Sequence, residues 1–548
     1  MAEASVPPMR WWGWGDPAHP PGLPPHALTF LSETVRLPAH PRPPVALENV
    51  HLESSALGVS ALDALRAIVG SEHVRDDHGE RVLHAAGKGY PDLVRMREGR
   101  PAAAPDAVVL PSDAEQLASL LQLCANSSLA VVPFGGGTSV VGGVEPLRGE
   151  HAAVIALDTS RMADVIGLDG ESRTVSVGAG MRAPALERYL QARGLTLGHY
   201  PQSYEYVSLG GCAATRSAGQ ASTGYGRIEQ MIVGLKLSAP SGEIALDAQP
   251  ASAAGPSLRQ LLIGSEGTLG VISELSLRVR PAPRERIFVG VFFSHFAAGA
   301  QALRELVQGG AAPDIARLSD EAETRMSLAL AGTGGAKGRF GRAYLRARGY
   351  SGGCLAIFGY EGSDGRQTRA RRERGLAITR ERGGLAVGHS PGEAWLKGRF
   401  QAPYLRDELL THGVLVETLE TATQWSNVQR LHSAVTRAIE AALREQGTPG
   451  LVMCHISHLY ETGASLYFTF IARQREGEEL VQWRAAKEAA SLAITQGGGT
   501  ITHHHAVGRD HAPWMTAEIG ERGVDALRAV KAELDPAGIM NPGKLLAG

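Results

Sequence analysis

No stretch of this chain reaches the roughly 18 uncharged apolar residues that a membrane-crossing helix needs. The N-terminal MAEASVPPMRWWGWG lacks the cationic start and apolar run of a secretory signal, so neither secretion nor a membrane span is expected. Charge of one sign is also missing. Lys plus Arg number 54 against 56 Asp plus Glu, a net charge of -2, so no global field draws the protein to nucleic acid. Cysteine is scarce: Cys124, Cys212, Cys354 and Cys454 form no CxxC pair and are too few to staple 548 residues. A reducing, cytoplasmic setting is the expectation, and the ending KLLAG carries no peroxisomal address. Glycine, by contrast, is abundant at 67 residues, well above the usual share of about 7%.

Four segments divide the chain. Residues 1–104 hold a Pro-rich irregular arm with Trp11, Trp12 and Trp14 as apolar anchors, then a short helix over GVSALDALRAIVG, for which Ser60 can cap. In 105–285, Val/Ile/Leu runs (AVVL, LAVVPFGGG, AAVIAL, TVSVGAG, LGVISELSLRV) alternate with Gly/Ser turns and the helical SDAEQLASLLQLCANSS. A second mixed unit spans 286–500, with strand candidates IFVGVFF, LAIFGY, GVLVETLE and SLYFTFIA. Residues 501–548 carry three consecutive histidines and an Ala/Leu/Lys/Glu helix. Two patches, the Gly-rich 328–350 and the Arg-rich 365–384, read as mobile or solvated, the first as a flap near the active site or a membrane surface, the second as a solvated helix face or a contact for anionic lipid or substrate.

The glycines concentrate in three places. In VVPFGGGTSV, a strand runs through Pro133 into Gly135, Gly136 and Gly137, then Thr138 and Ser139. Backbone without side chains can approach a diphosphate and offer it N–H donors. The loop is neither a P-loop, which ends in GK[ST], nor the GxGxxG dinucleotide fingerprint. Small residues and hydroxyls recur in SLGGCAATRSAG and in IGSEGTLGVI. Together the three stretches resemble the FAD-binding domain of the vanillyl-alcohol oxidase and p-cresol methylhydroxylase superfamily. That resemblance implies an α+β fold with a two-part FAD-binding domain, an inserted α+β cap domain and a C-terminal helical tail. It places Pro133 to Ser139, Gly211, Thr215, Ser217 and Gly219 along the FAD, with Glu266 and Ile272 near the adenosine end. The first loop has no His or Cys, so noncovalent FAD is expected.

Further stretches narrow the likeness: Trp12-Gly13-Trp14-Gly15, Arg317-Leu318, Tyr404-Leu405-Arg406-Asp407, Tyr460 to Tyr467, His503-His504-His505 and Asp535-Pro536. From about residue 10 to the end, the chain resembles the alkyldihydroxyacetonephosphate synthases. The family's chemistry implies exchange of the acyl chain of acyl-dihydroxyacetone phosphate for a long-chain alcohol, through a flavin adduct and without net redox. By the same resemblance Tyr467 removes a proton from substrate C1, Arg406 and the three histidines are essential, and Arg317 stands near the flavin. A homodimer and peripheral membrane contact are implied as well. One departure is visible: the glycine expected after the third histidine is Ala506.

The residues themselves suit this chemistry. A proton alpha to a carbonyl needs a positioned base, and cations from Arg406 or a histidine lower a phenol from its usual value near about 10. Arginine is the planar, permanent donor that a phosphate head group requires. On an extended segment His503 and His505 share one face and His504 the other, so two at most meet the substrate. The histidine run brings no carboxylate or Cys at zinc spacing, and no metal is expected. Duller accounts stay open: Tyr467 as a core residue, Arg406 pairing with Asp407 or Glu408, Arg317 in an interdomain ion pair. Two other functions fit the same loops. One is an FAD dehydrogenase or oxidase of a D-2-hydroxy acid, with arginine on the carboxylate and histidine taking the hydroxyl proton; the other is a non-catalytic flavin-binding protein.

Overall fold

A computed structural model describes residues 9–17, 22–38, 40–332 and 336–546. Its first sheet is the seat of the glycine loop. Parallel strands Ala107–Val109, Ala153–Asp158 and Leu129–Phe134 stand side by side, with the short Val74–Arg75 antiparallel at one edge. They read as nearly unbroken apolar runs because both of their faces are buried. Helix Ala114–Asn126 buries Leu117, Leu120, Leu121 and Cys124 against them and is capped by Asp113, which accepts from the Gln116 N–H. Strand Leu129–Phe134 ends at the glycines, so the loop leaves the C-terminal end of a parallel sheet, where ligands collect in open α/β sheets.

A second, antiparallel sheet follows the order Val165–Asp169, Thr174–Gly178, Val271–Arg278, Ile232–Ala239, Gly242–Leu246. A third, also antiparallel, has seven strands: Leu385–Ala386, Glu285–Phe293, Cys354–Gly362, Ile315–Ser319, Leu451–Ile456, Gly463–Arg473 and Val414–Gln424. Helices Phe296–Gln308, Val428–Glu445 and Glu479–Gln496 bury one of its faces in a core that contains Phe358, Phe468 and Phe470. The other face is left for the site.

Several expectations are corrected. The helix after the arm is Val59–Val69; Gly58 precedes it and no side chain caps it, because Ser60 is already inside. The arm is not wholly irregular. Helix Pro25–Val35 forms there, since a proline in the first turn loses no hydrogen bond, and it buries Leu31 and Val35 against Met326, Leu409, Val416 and Ile471. Trp14 is buried, as an anchor should be. The Gly-rich patch contains a helix, Ala336–Ala347, and the Arg-rich patch, read as a solvated helix face, is the helix Gly365–Glu381. The second is tied down by its charges: Arg369 grips both carboxylate oxygens of Glu285, Arg371 pairs with Asp314, and Arg382 pairs with Glu305. Among the described residues no helix is long and apolar enough to cross a membrane.

Residues 539–541 return to the first sheet. After helix Met515–Leu534, the Val131 N–H donates to the Ile539 carbonyl and the Asn541 N–H donates back to the Val131 carbonyl, both at 2.8 Å. Asp535, 2% exposed, holds the turn by accepting from the N–H groups of Ile539 and Met540 and from Lys531 Nζ. Asp535→Ala strips three donors of one buried acceptor and is expected to cost about 3 kcal/mol, read as a lower urea midpoint with unchanged slope.

Candidate active site

Sheet register builds the site. In the seven-stranded sheet Glu420 lies opposite Tyr467, Tyr467 opposite His455, and His455 opposite Ser319. Residues in one cross-strand row share a face, so a carboxylate, a phenol and an imidazole arrive together from three strands. Arg317, two residues before Ser319, shares that face. The row below is Thr418, Thr469 and Met453, and the next brings Val416 opposite Ile471. The exposed face of the sheet therefore grades from ionisable to apolar within two rows.

This face and the glycine loop close around one cavity of about 780 Å³. Pro133, Gly135, Gly136, Gly137, Thr138, Ser139, Gly211, Thr215, Ser217, Gly219, Glu266 and Ile272 line one side, and Arg317, Arg406, Tyr467, His504 and His505 the other. Of the sequence candidates only His503 stands behind the wall. The extended-strand expectation for the histidines is corrected: the segment bends, with His503 and His504 both turned toward Glu420. His505 meets Tyr467 edge-on, ring centroids 5.3 Å apart. The pair facing the cavity is thus His504 and His505.

Glu420 is fully buried. Burial alone would raise its carboxyl, but His504 and His503 hold it well below the usual carboxylate range. His503 is fixed from all sides: its N–H donates to the Glu420 carbonyl, Arg227 donates to its carbonyl, and Tyr460 Oη lies 2.6 Å from its Nε2. Donor atoms of Glu420, His458, His503 and His504 lie within 4.8 Å of one another. The carboxylate missing near the histidines in sequence is supplied by the fold, which removes the spacing argument against a metal.

Arg317 donates to Glu323 at 2.8 Å and lies 3.1 Å from His455 Nε2. His455 Nδ1 meets the same Glu323 oxygen at 2.9 Å, and its ring stacks on Tyr467 with centroids 4.7 Å apart. The ion pair of Arg317 is thus made within 286–500, and its side chain lines the cavity. Arg406, on helix Ala402–Thr411, does not pair with its neighbours; Asp407 turns inward and accepts the Trp14 N–H instead. The phenol expected to be lowered by cations is pushed up to about 12 by burial, and Arg406 offsets this only in part. Glu266 reaches the cavity wall but spends its carboxylate on the N–H groups of Val507 and Gly508, at 2.7 and 2.6 Å.

The loop fits a flavin dinucleotide. A Cβ at Gly136 would fall 2.3 Å from the Tyr206 carbonyl oxygen and one at Gly135 2.2 Å from Ser208 Oγ. Pressed against that wall, the loop turns its backbone to the cavity. The N–H groups of Gly136, Gly137, Thr138 and Ser139 donate to no group among the described residues, leaving a row of donors for a diphosphate.

Comparison with known proteins agrees with this geometry. Residues 105–246 match the model of an FAD binding domain and residues 282–545 that of the C-terminal domain of FAD linked oxidases. Alkyldihydroxyacetonephosphate synthase from Dictyostelium discoideum is 32% identical over 98% of this chain and 93% of its own length. The chain belongs to the alkyldihydroxyacetonephosphate synthase family. A solved structure of such a synthase superposes with a TM-score of 0.84 at 29% identity, covering 97% of this chain and 98% of that one. The fold extends to p-cresol methylhydroxylase with substrate bound, at TM-score 0.66 and 14% identity over 89% of this chain and 96% of the other. FAD is the family cofactor here.

Sequence reasoning missed Glu420, Glu323, His455 and His458. The signal was faint but present: two histidines three apart before YETG, and two carboxylates inside the apolar strand VLVETLETAT. The departure at Ala506 also acquires a meaning, because its φ is 72°. That is a left-handed conformation natural to glycine and strained for alanine. Ala506→Gly is expected to raise stability by about 1 kcal/mol, measured as a higher urea midpoint.

Proposed function

We propose that the protein is an FAD-dependent ether-lipid synthase: it replaces the acyl chain of an acyl-dihydroxyacetone phosphate by a long-chain alcohol with no net redox. The observation that carries this reading is the graded floor of the cavity. Tyr467, His455 and Arg317 stand at one end; Val416, Met453, Ile471, Met326, Leu330 and Leu31 line the other. A small polar head and a hydrocarbon tail suit that gradient, whereas a short hydroxy acid has no use for the apolar part.

In this reading residues 105–285 with the tail 501–548 hold FAD noncovalently, 286–500 form the cap domain over its ring, and residues 1–104 brace the two. Bound FAD, held by the glycine loop Gly135 to Ser139, would supply an electron-poor ring beside the head group. The protein's part is to move protons and hold charge. Tyr467 Oη takes the substrate C1 proton while its own passes to His505, an imidazole that burial keeps neutral, or to His504. The transfer suits a phenol near 12 because no free phenolate has to form first. The Glu420 carboxylate compensates the imidazolium that results, and His503, fixed by Tyr460 and Arg227, keeps the pair in place. Arg317, locked by Glu323, sets the position of His455 beneath the Tyr467 ring.

The lipid substrates argue for work at a membrane surface; the homodimer rests on the family resemblance, and the cytoplasm is the compartment proposed. Helix Ala336–Ala347 offers a suitable contact: Phe340 is 77% exposed beside exposed Arg339, Arg342 and Arg346, just beyond the helix Glu321–Leu330 whose Met326 and Leu330 line the cavity. All four cysteines are free thiols, in keeping with a reducing compartment.

Anaerobic addition of palmitoyl-dihydroxyacetone phosphate to the FAD-loaded protein is expected to bleach the flavin with release of one palmitate. Bleaching by D-lactate or D-2-hydroxyglutarate, with the lipid inert, would mean a dehydrogenase instead. Tyr467→Phe is expected to keep FAD while losing turnover by at least about 100-fold; retained turnover removes Tyr467 from the proton path.

A further inference from the structure

Lys88 is a buried cation that the chemistry above leaves without a task. It lies in a bend between helices His78–Leu83 and Tyr90–Arg97, flanked by two glycines. Its N–H donates to the Ser139 carbonyl at 2.6 Å. A Cβ at Gly87 would sit 2.4 Å from that same oxygen, and one at Gly89 3.0 Å from the Val140 carbonyl oxygen. The bend is thus laid flat on the glycine loop. The Lys88 side chain is 6% exposed and lines the main cavity. Nζ donates to the Arg10 carbonyl at 3.0 Å, and an ammonium has three hydrogens to give. Two have no acceptor among the described residues.

Arg406 completes the arrangement. It lines the same cavity, its Nε is buried without a partner, and its guanidinium makes no hydrogen bond or ion pair among the described residues. The nearby carboxylates do not neutralise the pair. Asp407 is shared: it accepts from the Trp14 N–H and lies in the field of Lys88, Arg406 and Arg97. Asp92 is pushed up to about 7 by burial, with Glu145 and Asp510 adding to the rise, so it carries only part of a charge at neutral pH. Two cations therefore face a cavity with donors unspent, which is unfavourable unless an anion joins them.

We propose that Lys88 and Arg406 form the subsite for the phosphate monoester of the substrate. This rests on the synthase reading. A phosphoryl group could also come from FAD, whose diphosphate suits the free N–H groups of the glycine loop; the position of Arg406 favours the substrate. Its charge is felt by Lys88 on one side and by the Tyr467 phenol on the other. In acyl-dihydroxyacetone phosphate the phosphate is borne on C3, two carbons from the C1 whose proton Tyr467 takes, so one cation can serve both ends. A monoester is close to a dianion at neutral pH and suits an ammonium plus a guanidinium better than either alone. Burial pulls Lys88 down to about 8, so it is still mainly an ammonium at neutral pH, and a bound dianion would raise it again.

The test uses FAD-loaded protein and two probes, inorganic phosphate and palmitoyl-dihydroxyacetone phosphate. Phosphate should perturb the flavin absorbance of the wild type and compete with the lipid. Lys88→Met should weaken phosphate binding and raise KM for the lipid by about 10-fold or more, with a smaller change in kcat and full FAD occupancy, while Lys88→Arg retains most of both. Unchanged KM and phosphate binding in a folded Lys88→Met overturns the assignment. So does loss of FAD with KM normal after reloading, which would give Lys88 to the cofactor's diphosphate. Should Lys88→Met not fold, the wild type decides: phosphate that fails to compete with the lipid overturns the subsite. If the wild type turns over no lipid, the synthase reading fails, yet phosphate binding and its loss in Lys88→Met still report on the two cations.

Discussion

One buried negative charge organises the reactive half of the molecule. Glu420 is taken out of water in the middle of a sheet, and an isolated carboxylate there would be prohibitively unstable. It is tolerated because His503 and His504 come to it from a segment more than 80 residues further along the chain. The demand for compensation therefore fixes the path of the tail. With the tail in place, His505 is set against Tyr467, and Val507 and Gly508 present their N–H groups to Glu266 on the cofactor side. Two carboxylates, one in each half, hold a single loop.

The second organising feature is the sheet itself. An antiparallel sheet packed on one face alternates side chains between core and exposed face. Here the exposed face has become the cavity floor, and moving two residues along each strand changes its character from Glu420, Tyr467 and His455 to Thr418, Thr469 and Met453. A slip of one residue in any of these strands would send the reactive row into the core. The long pairing of Val414–Gln424 with Gly463–Arg473 guards against that slip over eleven residue pairs.

What could be read in the sequence follows from how local each cause is. Three consecutive glycines after a strand announce a close backbone approach, because no other residue permits it, and that loop was legible together with the strands and helices around it. Helices such as Ala114–Asn126 were legible from spacing and an Asp cap. The Arg-rich 365–384 reads as a solvated helix face, but its ion pairs could not be read, because the partners Glu285, Asp314 and Glu305 are remote in sequence. The same remoteness hid Glu420, which meets Tyr467 only through register, while Glu323 reaches Arg317 and His455 from the helix Glu321–Leu330. The three histidines were visible, but their facing was not, since it is set by a distant carboxylate and not by strand periodicity.

The return of the chain end to Val131 has a consequence for biosynthesis. Strand Leu129–Phe134 lies at the edge of the first sheet, and its outer side is paired only when residues 539–541 arrive. While the ribosome is still at work, that apolar edge is open and without its natural partner, a template for pairing with other chains. The reactive histidines likewise emerge only after the last strand, Gly463–Arg473, has been made. Until residues 539–541 are made, a nascent chain has no closed cofactor sheet, and a product cut off before them would be inert and prone to aggregate.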